Sequence, residues 1–219
     1  MDTPADDGHV KRERRKQARP GELLGAALEL FVEKGYAATR VEEVAARAGV
    51  SKGTLFIYYP SKVDLFKAVV SETIAGRMAE WDAEFATYTG PTADMVRHCL
   101  RSWWERIGAT RACGITKLML SEARNFPELA EFYQREVVRP GQDLVRRVLQ
   151  RGIDRGEFRP VDLDHAIHVV IGPMVYLMLS RHSTSVCVPD DRPMDPERFI
   201  DMLADILILG LSLPAKESP

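Results

Sequence analysis

The chain has 219 residues, is 45% hydrophobic and 28% charged, and balances 30 Lys plus Arg against 32 Asp plus Glu for a formal net charge of −2. That length can bury a substantial core and falls between one and two domains of ordinary size. The longest apolar runs, 171–179 and 206–211, are far shorter than a bilayer requires, the charged N-terminus lacks the pattern of a secretory signal, and three widely spaced cysteines (Cys99, Cys113, Cys187) make no disulfide framework, so a cytoplasmic protein without a membrane partner is expected.

The near-neutral total hides a division: residues 10–62 carry a net +5, residues 63–219 a net −4 and residues 1–9 a net −3. Neutralising phosphate drives sequence-independent affinity for nucleic acid, so that partner belongs at the basic end. The stretch KRERRKQAR at 11–19 is read as part of a disordered basic arm, 1–19, of the kind that reaches phosphates or a minor groove.

Next, Leu23, Leu24, Ala27, Leu28 and Phe31 recur at helical spacing, with Pro20 suited to open that helix and Gly35 to close it. Val41, Val44, Ala45 and Ala48 form a second stripe at i, i+3, i+4 and i+7, leaving Glu42, Glu43 and Arg47 to solvent. Gly49 can take the positive φ that turns the chain, and Ser51 can cap a third helix with Lys52, Gly53 and Thr54 in its first turn and Leu55 facing inward. Two short helices around such a turn form a helix-turn-helix, and small, hydrogen-bonding residues at the second helix's start suit close approach to base edges in the major groove. Gly-Val-Ser turns also make ordinary helical corners. Ser61 to Asp64 has the form of a capping box opening a fourth helix.

Beyond it no strand alternation appears, and helices are expected at about 62–87, 92–108, 111–124, 126–152, 162–182 and 196–212. Gly90-Pro91 separates the first two; Asn125, Pro127 and Glu128 supply a cap, an N1 proline and a capping acid; Pro140-Gly141 is a candidate interruption; Arg155-Gly156 and Arg159-Pro160 end that segment. Residues 183–196, rich in Ser, Pro and Asp, read as a surface loop. The expected fold is all-α, about nine helices, with a three-helix head on a larger helical body.

Residues 20–70 resemble the DNA-binding domain of the TetR (tetracycline repressor) family of bacterial transcription regulators. The ordered set Ala26-Ala27-Leu28-Glu29-Leu30-Phe31, Gly35-Tyr36-Ala37-Ala38-Thr39, Val44-Ala45-Ala46-Arg47-Ala48-Gly49-Val50-Ser51, Lys52-Gly53-Thr54-Leu55, and Pro60-Ser61-Lys62 with Leu65-Phe66 carries the resemblance. It implies DNA contact through Lys52, Gly53 and Thr54, phosphate contact through Lys62, and backbone contact near Thr39 and Arg40. Where the family usually has Tyr, this chain has Phe56, followed by Ile57; without the phenolic hydroxyl, the expected contact moves to Tyr58. The implied organisation is a basic arm at 1–19, a DNA-binding domain at 20–66, and a ligand-binding and dimerisation domain at 67–219. Its partners would be a palindromic double-stranded operator, a second copy of the chain, and a small effector that shifts the body to a state unable to hold DNA, usually relieving repression.

The body is less specific. Phe199, Met202, Leu203, Ile206, Leu207 and Gly210 give the last helix apolar surface on more than one side, which suggests a homodimer interface. Trp103, Trp104, Met119, Phe126, Met174, Tyr176 and Met178 are candidates to line a cavity for a hydrophobic effector, near a kink at Gly172-Pro173, although such residues are more often ordinary core. His165 and His168 stand at i and i+3 with no third ligand, so no metal is expected, and no cofactor. Gly-x-Gly-x-x-Gly, Walker, His-Glu-x-x-His and Gly-x-Ser-x-Gly motifs are all absent, which argues against an enzyme. A helical nucleoid or adaptor protein that senses no ligand is the rival.

Overall fold

A computed structural model describes residues 7–182 and 194–213, with backbone alone for 7–19 and 182. The expected loop at 183–196 therefore falls largely outside the described residues, as does Cys187. Among the described residues every regular element is a helix, apart from an isolated antiparallel bridge between Phe158 and Ser212. The chain divides into two compact units, Met1–Glu72 and Thr73–Pro219.

The first unit contains α1 (Asp7–Ala38), α2 (Val41–Arg47), α3 (Lys52–Tyr58) and α4 (Lys62–Val70). Two expectations change here. Helical backbone starts at Asp7 rather than Pro20, so residues 7–19 are not the unstructured arm expected, and Pro20 sits within α1. The Lys, Arg, Gln and Ala of that stretch are strong helix formers, and a proline deletes only its own backbone hydrogen bond and crowds one carbonyl. Gly35 does interrupt α1, with φ 83° and ψ 167°. The core draws on every helix: Leu23, Ala27 and Phe31 of α1, Val44 of α2, Leu55 of α3, and Leu65, Phe66 and Val69 of α4 are all fully buried. Phe31 stacks on Tyr36 and Phe66 meets both edge-on, with ring centroids 5.3 to 5.6 Å apart. Burying each such side chain stabilises by roughly 1.5–3 kcal/mol, whereas surface pairs such as Lys34 with Glu43 and Arg47 with Glu33 add about 0–1 kcal/mol each.

The second unit contains α5 (Gly76–Thr87), α6 (Thr92–Trp103), α7 (Cys113–Glu122), α8 (Pro127–Tyr133), α9 (Arg139–Asp154), α10 (Leu163–His182) and α11 (Pro196–Leu211). Single π turns, Ser71–Ala75, Trp104–Gly108 and Gln134–Val138, extend or join these helices. Counted through the π turns there are nine helical segments among the described residues, at 7–38, 41–47, 52–58, 62–87, 92–108, 113–122, 127–154, 163–182 and 196–211.

Details depart from expectation for local reasons. Pro140 does not break the helix; it lies in the first turn of α9, directly after a π turn, where a missing N–H costs little. Asn125 is not the cap of α8: its amide donates to Glu122 Oε2 at 2.9 Å, and Phe126 occupies the N-cap. Gly156, at φ 66°, ends the helical run that α9 closes. Gly152 has no side chain because the Phe158 ring folds onto it, and a Cβ there would lie 2.1 Å from the ring. Arg159 then donates from its backbone N to Leu211 O and from Nε to Gly210 O, both at 2.7 Å, closing the end of α11. By length and composition 163–181 is apolar enough to cross a membrane, which the short uninterrupted runs did not suggest. In this structure Ile167, Val170, Met174 and Leu177 of α10 are buried in the body.

Candidate DNA-binding surface and effector cavity

The turn between α2 and α3 is closed by backbone alone: Ala48 N donates to Val44 O and Val50 N to Ala45 O, both at 2.9 Å, while Gly49 takes φ 68°. Ser51 Oγ accepts from Thr54 N at 3.1 Å and shares a 2.9 Å hydrogen bond with Thr54 Oγ1. Leu55, fully buried, pins α3 to the head, so the other side of this helix faces out: Lys52, Gly53, Phe56 and Ile57 are exposed, Ile57 at 80%. Lys52 Nζ lies 2.6 Å from Glu42 and 5.7 Å from the Phe56 ring centroid. That hydrogen bond holds the Glu42 carboxyl below the ordinary glutamate range. Arg40 is exposed at the N-cap of α2, where its backbone N meets Glu43 Oε2 at 3.5 Å, and Tyr58 is half-buried.

Two expected DNA contacts are occupied within the head. Thr39 is 2% exposed, and its hydroxyl approaches Leu30 O at 3.1 Å and Gly35 O at 2.7 Å. Lys62 Nζ donates to the carbonyls of Tyr36 at 2.8 Å, Thr39 at 3.0 Å and Ala37 at 3.3 Å, and lies 4.4 Å from the Tyr36 ring centroid. An ammonium has three hydrogens, and all three are directed at carbonyls left open where α1 ends. Burial lowers the Lys62 pKa from the ordinary lysine value. Both side chains staple the end of α1, Thr39 from a buried position and Lys62 from a half-buried one. Ser61 keeps its expected role, accepting from Asp64 N at 3.1 Å and donating to Asp64 Oδ2 at 2.7 Å.

The second unit holds a partly open apolar cavity of about 400 Å³, within the range that holds drug-sized molecules. Of the seven residues expected to line it, Trp103, Met119 and Met174 do. Trp104 and Met178 instead pack into the core, at 8% and 0% exposure. Phe126 and Tyr176 do not reach the cavity, and Tyr176 is exposed beside Phe199, ring centroids 6.4 Å apart. Residues outside the expected set complete the wall, among them Tyr133, Thr116, Val145 and Trp81. Each π turn contributes as well, through Ile74, Ile107 and Val137; a π turn shifts the helical phase and re-aims the residues around it. Trp81 Nε1 is committed to Ser102 Oγ at 2.8 Å. Cys99 also lines the cavity, and burial pushes its thiol up to about 11, so it stays a thiol at neutral pH.

On the outer side of α11, Met202, Ile206 and Leu209 are exposed at 61%, 61% and 81%, and Gly210 is exposed among them; Val169 and Tyr176 of α10 are also exposed. Phe199 and Leu203 are half-buried against the core. Leu207 belongs to the core and not to this face. Among the described residues no cluster of His, Cys, Asp or Glu is arranged to hold a metal; His165 is hydrogen-bonded to Asp162 at 2.7 Å.

A head built on a helix-turn-helix, followed by a helical unit with an apolar cavity, defines a DNA-binding transcriptional regulator. Residues 23–69 match the profile of bacterial regulatory proteins of the tetR family, and residues 87–186 match the tetracyclin repressor-like C-terminal domain. The chain belongs to the TetR family of transcriptional regulators. It is 28% identical over 159 residues to the uncharacterised HTH-type transcriptional regulator YdeS of Bacillus subtilis, covering 72% of this chain and 76% of that one. Its fold is similar to that of the fatty acid degradation regulator FadR of Bacillus halodurans, with TM-score 0.70 and 20% identity over 87% of this chain and 94% of the other. The transcriptional regulator FadR of Bacillus subtilis, solved in complex with stearoyl-CoA, gives TM-score 0.68 and 16% identity over 87% and 98%. At such identities the structural likeness speaks to the fold.

Proposed function

We propose that this chain acts as a homodimer that binds a palindromic operator through α3 and is released when a small, hydrophobic molecule enters the body cavity. The observation that carries the reading is the pairing of an outward-facing α3, fixed by Gly49, Ser51 and Leu55, with a separate apolar cavity in the same chain. The proposed DNA contacts are Arg40, Lys52, Gly53, Thr54 and Tyr58, joined by Phe56 and Ile57. An exposed isoleucine on a recognition helix suits the methyl group of thymine. Thr39 and Lys62 act from inside, by holding the end of α1 on which α2 starts.

A second copy is required because one helix-turn-helix reads one half-site, and paired half-sites about one helical turn apart call for two-fold symmetry. The face of Met202, Ile206 and Leu209 is proposed as the contact with that copy. The covalent link between the units is the π turn Ser71–Ala75, whose Ile74 lines the cavity. A ligand with different affinity for two arrangements of this segment would shift the population that holds DNA. Operator DNA places this work in the cytoplasm.

Footprinting the DNA that flanks the gene, followed by titration of hydrophobic compounds, tests the reading. A short protected inverted repeat, lost on addition of a compound that binds the protein, is the expected result. Coating of DNA without discrete boundaries would favour a nucleoid protein, and protection that persists with every bound compound would remove the effector role.

A further inference from the structure

The chemistry of the cavity wall narrows the effector further, on the premise that this cavity is the effector site. No lining residue is Asp, Glu, Lys, Arg or His. Two arginines of α9 beyond the wall are taken: Arg147 pairs with Asp82 and Arg146 with Asp164. A carboxylate or phosphate inside would be a buried charge with no counter-charge, which costs several kcal/mol or more.

Hydroxyls occur in the wall at two positions, Thr116 on α7 and Tyr133 on α8, and their oxygens lie 2.7 Å apart. Two hydroxyls carry two hydrogens, and the bond between them uses one. Neither makes another hydrogen bond within the described residues. Whichever way the shared hydrogen points, one O–H is left over on a mostly apolar wall that also carries the amides of exposed Gln134 and half-buried Gln142, and Tyr133 itself is only 7% exposed. Burial pushes the Tyr133 hydroxyl up to about 12, so it remains a neutral donor at any physiological pH.

We infer that the cavity takes an uncharged, mostly apolar molecule bearing one acceptor oxygen of the ketone, ester or lactone type, seated on the Thr116–Tyr133 hydroxyl pair. The pair polarises without charge: it gives an acceptor one hydrogen bond, and for an anion that bond does not offset the cost of burying a charge with no counter-charge. Apolar walls supply the bulk of the affinity, and the spare hydrogen selects among molecules of equal size.

Calorimetric titration of the full chain at pH 7.5 with three matched probes, butyrophenone, butylbenzene and 4-phenylbutyrate, tests this directly. The ketone is expected to bind roughly tenfold more tightly than the hydrocarbon, one hydrogen bond's worth, with the carboxylate weakest. The double variant Thr116→Val with Tyr133→Phe removes donor and acceptor together and so strands no buried polar group. It should fold normally by thermal unfolding, bind butylbenzene as before, and lose the preference for the ketone. Equal or tighter binding of the hydrocarbon, or a ketone preference that survives in the double variant, overturns the inference. Tightest binding by the carboxylate overturns the ligand class while leaving the cavity an effector site. No binding by any probe up to its solubility limit overturns both the inference and the cavity's role.

Discussion

Lys62→Met separates the two roles that this lysine can hold. Methionine keeps an unbranched stem against the Tyr36 ring but removes the ammonium that donates to three carbonyls at 2.8, 3.0 and 3.3 Å. Hydrogen bonds from a charged donor are worth about 1.5–3 kcal/mol each when buried. Lys62 is only half-buried and water can reach the freed carbonyls, so a total loss of about 2 kcal/mol is the reasonable expectation rather than the sum of three bonds. Local opening at 36–47 should then become about thirtyfold more frequent. Hydrogen exchange read by mass spectrometry on the full chain measures this without needing the two units to unfold together. A phosphate-binding lysine would behave differently: its removal would leave exchange unchanged and reduce the slope of log affinity against log salt by about 0.9 for each phosphate no longer neutralised. Unchanged exchange with a reduced salt slope would refute the staple and restore the DNA contact that the resemblance implied.

Other consequences are as definite. Thr39→Val removes a buried hydroxyl hydrogen bond and should cost about 1–2 kcal/mol, seen as faster exchange at 30–47. Lys52→Ala and Thr54→Ala should weaken discrimination between the operator and unrelated DNA, and Phe56→Tyr should strengthen binding by restoring a hydroxyl donor to phosphate; a titration of labelled duplexes reads all three, and no change in any would mean that α3 does not enter the groove. Gly152→Ala drives a methyl into the Phe158 ring and should cost about 1–3 kcal/mol, lowering the unfolding midpoint of the body by several degrees; an unchanged midpoint would show that Phe158 has room to move. Ile206→Glu, at a position 61% exposed, should leave folding intact and convert a dimer to a monomer in sedimentation, and a dimer that persists would place the interface elsewhere.

The parts legible in the sequence are those governed by short-range rules. Gly49, Ser51 and Ser61 act on neighbours within three or four residues, so the turn and both caps can be read from spacing. Helix limits such as 92–108 and 163–182 follow from punctuation and periodicity in the same way. Lys62 and Thr39 read as outward-facing because nothing in the sequence marks the backbone carbonyls four to twenty-six residues upstream as their partners. The cavity shows the limit most sharply. Trp103 and Trp104 are adjacent, about 100° apart around a helix, and only the first faces the cavity. The phase that decides between them is set by the packing of the surrounding helices and by π turns, which no composition or period announces. Leu207 and Ile206 divide between core and surface for the same reason.

The central claim is that the outward side of α3 reads a specific, two-fold DNA sequence. Selection of bound duplexes from a random pool by the full-length protein tests it most directly. Enrichment of an inverted repeat with half-sites about one helical turn apart is the predicted result; recovery of sequences no different from the starting pool would contradict it.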